Sequence, residues 1–313
     1  MYATRLHRFG GPEVLQRDDL EPPTPRGDEL LVRVHATSLN HIDVGMRRGD
    51  LKALSFWRLP LTLGFDLAGV VAACGPKVTA FVPGDRVYGA VGHGGGADAE
   101  YALVKQSRVA LLPPSLPFAD AAVVPIAGLT ALQALKTHAG LREGQRVLVN
   151  GASGGVGAFG VLLAELFGAR VTGVCSGEKR DFVVGLGADG TVDYREEDFT
   201  LGREAWDVVL DAAGNREFGD VGRVLTDRGV MVGTRLSPRT AVGVVTARMQ
   251  GGARPAFVPA RERSHDLAFL ARLVEQRKLQ VPVDRTFSLG ELAEAHRHLE
   301  SGGVRGKVAV RVG

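Results

Sequence analysis

The feature that most constrains this chain is a glycine-rich segment that joins an apolar run to a helical pattern. Arg146–Asn150 reads as a buried β-strand, residues 151–157 contain four glycines, and Ala158–Phe167 reads as a helix. A strand, a glycine turn and a helix in this order bring backbone N–H groups and a helix N-terminus to one place. The segment therefore predicts the phosphate-binding turn of a dinucleotide site and, with it, redox chemistry.

The glycines of this turn have separate physical tasks. Gly154 and Gly157 fit the second and third glycines of the pattern G-x-G-x-x-G, and Ala152 stands in the first place. At Gly154 the absence of a Cβ allows close approach to a phosphate, and at Gly157 it allows the helix to pack closely on the sheet. The alternative is a glycine-rich connection without a ligand, and the flanking strand and helix disfavour it. The predicted binding residues are Ala152, Ser153, Gly154, Gly155, Val156 and Gly157.

Length and composition exclude several classes of protein. The chain has 313 residues, enough for two domains, with 45% hydrophobic and 23% charged residues and a net charge of only +3. No basic cluster indicates nucleic-acid binding, and no apolar run is long enough to suggest a membrane span. The N-terminal residues lack a hydrophobic signal core, and two distant cysteines, Cys74 and Cys175, favour a reduced, cytoplasmic location.

The pattern of predicted strands and helices changes twice along the chain. Residues 1–118 read as a β-rich domain, in which strand-like runs alternate with Gly/Pro turns. Residues 119–262 alternate strands with helices, which predicts a parallel, doubly wound sheet. Residues 263–313 hold too few elements for a domain and are expected to complete the first one. The predicted class is α/β with two domains.

The end of the second predicted strand indicates which nicotinamide cofactor binds. An NAD site has an acidic residue about 20 positions after the glycines, where it binds the ribose 2′-hydroxyl. Ser176 stands 19 positions after Gly157, and Lys179 and Arg180 follow it. A small neutral residue followed by two cations suits a 2′-phosphate, so NADPH is predicted. The alternative takes Glu178 as the ribose acid, with the two cations merely solvated.

Motifs along the whole chain resemble one family. They include Gly64–Val71, Phe81–Tyr88, Ala99–Tyr101, Gly128–Ala131, Asn150–Gly157, Leu186–Asp189, Asp193–Tyr194 and Gly306–Val308. Together they resemble the zinc-independent quinone oxidoreductase branch, the ζ-crystallin-like proteins, of the medium-chain dehydrogenase/reductase superfamily. The resemblance implies a GroES-like catalytic domain, a Rossmann domain, a cofactor between the two and a homodimer.

The resemblance also bears on zinc. Zinc-dependent alcohol dehydrogenase relatives need a Cys and a His at the places where this chain has Asn40 and Phe65. A phenyl ring cannot bind a metal and an amide is a poor zinc ligand, so no metal is predicted. Without a Lewis acid, the easiest reaction is hydride transfer to an electron-poor quinone or α,β-unsaturated carbonyl.

Several further residues are candidates for the site. Asn40 is expected beside the nicotinamide, with Asp43 supporting its loop, and His41 is a speculative proton donor. Phe56 and Trp57 could line a substrate pocket or pack in a core. The remaining predicted cofactor contacts come from the resemblance or from predicted strand ends; they are Thr130, Cys175, Tyr194, Ala212, Gly214, Asn215, Gly233, Thr234 and Lys307.

Two other functions fit the same residues. One is a reductase of 2-enoyl thioesters or alkenals built on the same fold. The other is an NADPH-binding protein with little turnover, acting as a sensor or partner module. Rapid NADPH consumption with a quinone would favour the enzyme, whereas binding without turnover would favour the module.

Overall fold

The fold was analysed on a computed structural model, which describes residues 1–50, 59–92, 94–202, 205–235 and 252–313. The chain divides into two compact units. The first unit comprises Met1–Ile126, Glu262–Arg277 and Val281–Gly313, and the second comprises Ala127–Arg261 and Lys278–Gln280. Residues 119–126, which the sequence suggested as the start of the second domain, group with the first unit.

The first unit is built mainly from antiparallel strands. Its strands are β1 (Tyr2–Leu6), β2 (Leu15–Asp19), β3 (Glu29–Leu39), β4 (Leu61–Thr62), β5 (Asp66–Cys74), β6 (Arg86–Ala90), β7 (Tyr101–Lys105), β8 (Val109–Leu111), β15 (Val283–Ser288) and β16 (Lys307–Arg311). Its helices are α1 (His41–Arg48), α2 (Phe118–Ala122), α7 (Ser264–Glu275) and α8 (Leu292–Glu300). The larger sheet has the order β15-β16-β3-β5-β6-β8, with β7 also paired to β3, and the smaller has the order β2-β1-β4.

The second unit alternates strands and helices. Its strands are β9 (Arg146–Asn150), β10 (Arg170–Cys175), β11 (Gly190–Asp193), β12 (Trp206–Asp211), β13 (Leu225–Gly233) and β14 (Arg254–Phe257). Its helices are α4 (Gly155–Leu166), α5 (Arg180–Gly185) and α6 (Phe218–Val221). Helix α3 (Pro125–Leu132) starts in the first unit and continues as a π-helical segment, Gln133–Ala139.

The order of the second sheet identifies its architecture. The six strands run β11-β10-β9-β12-β13-β14, and all of their pairings are parallel. Numbered within the unit, this is the order 3-2-1-4-5-6 of a Rossmann sheet, whose direction of winding changes between its first and fourth strands. The predicted α/β class, with a β-rich domain and a doubly wound parallel sheet, is confirmed.

Some element boundaries differ from the sequence-based expectations. Helix α4 begins at Gly155 rather than at Ala158, so the last two glycines of the turn already belong to the helix. Strand β14 was not expected, because Arg254–Phe257 is short and contains a proline, which suits the edge position that it occupies. None of the helices formed by the described residues is both long and apolar enough to cross a bilayer.

The first unit contains a buried cation that joins α1 to α8. The Arg47 side chain is inaccessible to solvent; its Nη2 atom lies 2.7 Å from a Glu300 carboxylate oxygen, and its Nε donates to Nδ1 of His296 at 3.3 Å. Burial, followed by the neighbouring Arg47 charge, lowers the pKa of His296 to about 3. The folded state therefore holds His296 neutral.

This neutral histidine predicts a loss of stability in acid. The folded pKa of His296 lies below the usual value of 6.5, so its contribution is complete above pH 6.5 and is lost as the pH falls towards 3. Between pH 7.5 and 5, wild type should lose about 2 kcal/mol of unfolding free energy relative to His296→Gln. Urea unfolding of both proteins at the two pH values measures this difference, and equal losses would contradict the prediction.

Candidate functional site

The glycine turn between β9 and α4 has the geometry of a phosphate site. A Cβ atom built at Gly157 would collide with the carbonyl oxygen of Gly151 and lie 2.8 Å from Cα of Ala152, so packing within the protein requires this glycine. A Cβ at Gly154 would meet only the Gly151 carbonyl oxygen, at an ordinary 3.5 Å. The protein's own packing leaves room at Gly154, where the motif places a ligand.

The departure from the glycine pattern at Ala152 is accommodated by the neighbouring strand. Ala152 is fully buried, and its N–H donates to the carbonyl oxygen of Val174 at 3.0 Å. A Cβ built at Gly173, on β10, would lie only 2.9 Å from Cβ of Ala152. The alanine methyl therefore occupies space that a glycine on the next strand leaves open.

Most of the predicted cofactor residues meet at one edge of the second sheet. The strand registers pair Val174 with Asn150, Asn150 with Asp211, and Asp211 with Gly233. The carboxyl ends of four neighbouring strands are therefore level, beside the point where the winding direction changes and where ligands of such sheets bind. The predicted residues that directly follow or close these strands are Ala152, Ser153, Cys175, Ser176, Ala212, Gly214, Asn215, Gly233 and Thr234. Thr130 is buried on α3 of the same unit.

Asp211 organises this edge, although the sequence analysis did not single it out. Its carboxylate accepts hydrogen bonds from Nδ2 of Asn150 at 2.7 Å and from the backbone N–H groups of Gly214 and Arg216 at 3.0 and 3.1 Å. Asn150 also donates to Oδ1 of Asn215 at 2.8 Å. Burial raises the pKa of Asp211, and these donors oppose the rise. An acidic residue at the end of an apolar strand was the available sequence signal.

The ends of β10 and β11 are joined beside Ser176. The Gly177 N–H donates to the Asp193 carboxylate at 2.7 Å, and the Tyr194 N–H donates to the Cys175 carbonyl oxygen at 3.3 Å. Ser176 is 4% exposed, whereas the Tyr194 side chain is 55% exposed. A tyrosine ring and a serine thus flank the place where the motif puts the adenosine ribose.

The charged groups beside this serine include one that the sequence analysis missed. Arg195 forms an ion pair of 2.8 Å with Glu178, and its guanidinium lies 5.9 Å from the centre of the Tyr194 ring. Lys179 is half-buried and Arg180 is exposed. Three cations therefore lie in the segments that directly follow β10 and β11. The signal for Arg195 was its position directly after Tyr194.

A second group of predicted residues meets in the first unit, where three strand ends converge. Asn40 caps the N-terminus of α1 directly after β3, Asp66 opens β5 opposite Ser38, and Lys307 opens β16 next to Val308, which pairs with Leu39. The Asn40 amide donates from Nδ2 to Asp66 at 2.9 Å and accepts from Nζ of Lys307 at 2.7 Å. Asp66 was missed as a site residue.

Lys307 is deeply buried and is not a surface lysine. It is 4% exposed, and its ammonium group donates to the carbonyl oxygen of Leu39 at 2.8 Å and to Asn40, with Asp66 at 3.4 Å. Burial lowers the pKa of Lys307, and the charges of Asp66 and Asp43 oppose that change. Because three hydrogens serve three acceptors, Lys307 supports Asn40 rather than offering a donor to a cofactor.

Asp43 holds the loop that carries Asn40, as expected for a supporting residue. Its carboxylate accepts from the N–H groups of Asn40 at 2.8 Å and of Gly64 at 3.0 Å. Burial raises the pKa of Asp43 to about 7 against those two donors. Asp98 lies against Gly64 and is fully buried. Burial, followed by the Asp43 charge, raises the pKa of Asp98 well above its usual value, and the Thr37 side chain opposes the rise.

The position that would hold a zinc-binding histidine is apolar. Phe65 is 3% exposed and packs in a cluster with Met46 and Leu63.

His41, which follows Asn40 in the chain, has a pKa lowered by desolvation and by the Lys307 charge. The imidazole is therefore neutral at neutral pH, which weakens its case as a proton donor. The predicted pocket residues Phe56 and Trp57 lie outside the described residues.

Comparisons with known proteins decide the family. Residues 26–114 match the alcohol dehydrogenase GroES-like domain, and residues 186–310 match the family described as zinc-binding dehydrogenase. A chloroplastic quinone-oxidoreductase homolog of Spinacia oleracea is 31% identical, over 99% of this chain and 98% of its own. The chain belongs to the quinone oxidoreductase branch of the medium-chain dehydrogenase/reductase superfamily. It is an oxidoreductase.

Solved structures of this superfamily agree with the assignment. The quinone oxidoreductase of Coxiella burnetii is 33% identical and superposes with a TM-score of 0.90, covering 100% of this chain and 99% of its own. A mycobacterial protein, Rv1454c, solved in complex with NADPH, is 28% identical with a TM-score of 0.85, and 99% of each chain is covered. The medium-chain reductase fold and a nicotinamide dinucleotide as cofactor are thus confirmed for this chain.

Proposed function

We propose that this reductase transfers a hydride from NADPH to a quinone or another α,β-unsaturated carbonyl without a metal ion. The observation that carries the proposal is the pair of unlike glycines: Gly157 is required by the protein's own packing, whereas Gly154 leaves open the space in which the motif places the diphosphate. The names of the spinach and Coxiella relatives support a quinone as the acceptor.

The charges beside Ser176 support NADPH rather than NADH. A 2′-phosphate carries nearly two negative charges, and Lys179, Arg180 and Arg195 provide cations in the segments that follow β10 and β11. Glu178, the alternative ribose acid, is paired with Arg195. Both side chains of this ion pair are exposed and screened by solvent, so a phosphate can take Arg195 from Glu178 at little cost.

The chemistry around Asn40 supports a reaction without zinc. A buried ammonium group already lies 2.7 Å from the Asn40 amide oxygen, and a second positive charge there would be repelled. The donor set is one amide, one carboxylate and one lysine beside a phenylalanine, which does not fit zinc. The function is therefore one in which the acceptor is already electron-poor.

Each group then has a defined task. When bound, NADPH supplies the hydride; the acceptor gains two electrons, and water supplies the proton that completes a hydroquinone. The turn at Gly154 and the N-terminus of α4 hold the diphosphate. Asn40 donates a hydrogen bond to an oxygen that becomes negative as the hydride arrives. The homodimer implied by the resemblance and a cytoplasmic location remain predictions.

A spectrophotometric screen at 340 nm tests the proposal. Purified protein with NADPH should consume the cofactor rapidly with para- or ortho-quinones, and an added chelator should leave the rate unchanged. Enones and enoyl thioesters serve as competing acceptor classes, and the rate without protein is subtracted. Tight NADPH binding in calorimetry with no oxidation by any acceptor would contradict the enzyme and favour the binding module.

A further inference from the structure

The Asn40 amide lies between two opposite buried charges. Its oxygen faces the Lys307 ammonium at 2.7 Å, and its nitrogen faces the Asp66 carboxylate at 2.9 Å. Lysine can only donate and an ionised carboxylate can only accept, so the two neighbours assign the amide orientation without ambiguity. Rotation of the amide by 180° would place an N–H against an ammonium and an oxygen against a carboxylate.

The surroundings fix both charges in place. Asp66 is fully buried and also accepts from Oγ of Ser38 at 2.6 Å and from the Ile126 N–H at 2.8 Å. Lys307 is fixed by the carbonyl oxygen of Leu39 at 2.8 Å. Asp66 thus has two hydrogen bonds outside the trio and Lys307 has one, so the two charges cannot exchange places. Burial makes any loss of these bonds costly.

The arrangement leaves the second N–H of the Asn40 amide available to a ligand. Among the described residues, Nδ2 of Asn40 donates to Asp66 alone, so its second N–H remains for another acceptor. Asp66 and Lys307 are buried, whereas Asn40 is half-buried, so it is the member of the trio that a ligand can reach. Asn40 therefore offers an N–H donor to a ligand, while its oxygen already accepts from the Lys307 ammonium.

We propose that Asp66 and Lys307 are positioning residues, which hold the Asn40 amide so that an N–H, rather than its oxygen, meets the carbonyl oxygen of the acceptor or the cofactor. This inference rests on the proposed function and deepens it. A fixed donor favours an oxygen that gains negative charge during hydride transfer and disfavours an acceptor that would need to donate at this point. The ligand group that this site favours is an oxygen that accepts a hydrogen bond and gains negative charge, such as a carbonyl oxygen.

Kinetics of three variants test the proposal. Lys307→Met should lower kcat at least about tenfold while the Kd for NADPH stays within about threefold, because the donor is lost in the transition state more than in binding. Asn40→Ala should show a similar loss. The double variant should be no slower than Asn40→Ala alone, since Lys307 acts through Asn40. The proposal would be overturned if the two single losses in kcat multiplied in the double variant, or if the kcat of Lys307→Met lay within twofold of wild type.

A matched control separates positioning from stability. Arg47→Met removes another buried cation of the same unit, whose partners Gly10, His296 and Glu300 do not contact Asn40. It should lower the unfolding midpoint but leave kcat within about twofold. If Lys307→Met does not accumulate as folded protein, Asp66→Asn carries the test, because it preserves shape and removes the charge.

A readout without turnover keeps the proposal distinct from the function. In ¹⁵N-asparagine-labelled protein, the side-chain NH₂ signals of Asn40, identified by their loss in Asn40→Ala, should exchange with solvent at least about tenfold faster in Lys307→Met than in wild type. Unchanged exchange overturns the inference whatever the enzyme reduces. If no acceptor oxidised NADPH but Asn40 exchange still became faster in Lys307→Met, the proposed reaction would be refuted and the positioning of the amide would stand.

Discussion

Gly154→Ala is expected to weaken NADPH binding about 30-fold, or about 2 kcal/mol, while leaving the protein folded. The backbone at Gly154 is extended, with φ of −84° and ψ of 176°, which alanine adopts without strain. The added methyl would touch the protein only at the Gly151 carbonyl oxygen, at 3.5 Å. The methyl therefore projects into the space assigned to the diphosphate, and calorimetric titration with NADPH measures its effect.

Gly157→Ala should show the opposite pattern and serves as the matched comparison. Its methyl would collide with the Gly151 carbonyl oxygen and crowd the backbone of Ala152, so the helix must move away from the sheet. We expect a loss of about 1–3 kcal/mol of unfolding free energy, as for other overpacked positions.

A third alanine variant provides the baseline for both. Gly185, at the end of α5, has no atom within 4 Å of an added Cβ, so Gly185→Ala should leave Kd unchanged and raise the unfolding free energy by no more than about 1 kcal/mol, the helix propensity of alanine over glycine. If Gly154→Ala bound NADPH as wild type does, the open space beside Gly154 would not be a phosphate site.

The Rossmann half of the molecule was predictable because its signals are local. The run at Arg146–Asn150 and the four glycines that follow fix a strand, a turn and a helix between Arg146 and Leu166. The boundary error at α4 arose because glycines are poor helix formers, yet Gly155 and Gly157 lie in a first turn that packs on the sheet. Packing outweighs the cost of glycine there.

The trio around Asn40 could not be derived from local sequence. Lys307 lies 267 positions from Asn40 in the chain, and only the pairing of β16 with β3 brings them together. A lysine that opens a strand is usually exposed, so nothing nearby in the sequence predicted a buried ammonium group. Asp66 was visible within the Gly64–Val71 motif, but the role of its charge depends on both distant partners.

The sequence analysis missed other charged residues for a related reason. Asp211 and Arg195 each act at the end of a strand, where a side chain joins two loops that are separate in sequence. Asp98 has no sequence signal at all, because a buried carboxyl is recognised only by its surroundings. Sequence patterns locate the edge where a ligand binds, whereas the polar contacts at that edge follow from the topology.

The preference for NADPH over NADH is expected to depend on cations of two different loops. Lys179→Ala and Arg195→Ala should each lower kcat/KM for NADPH about 10- to 50-fold and leave the value for NADH nearly unchanged, because only NADPH carries the 2′-phosphate. Glu178→Gln should have the opposite effect, since it releases Arg195 from its 2.8 Å ion pair. Kinetics with both cofactors at two ionic strengths measure these changes. Higher salt should lower kcat/KM for NADPH and leave kcat/KM for NADH nearly unchanged.

Arg170 supplies the control, because it is an exposed cation at the amino end of β10, the strand whose carboxyl end precedes Ser176. Arg170→Ala removes the same kind of charge from the same strand, but at the edge where ligands of a parallel sheet do not bind. It should leave the ratio of the two kcat/KM values unchanged. A wild-type preference for NADH, or a ratio that Lys179→Ala does not alter, would instead make Ser176 a neutral neighbour of the ribose and assign the recognition of adenosine to the backbone alone.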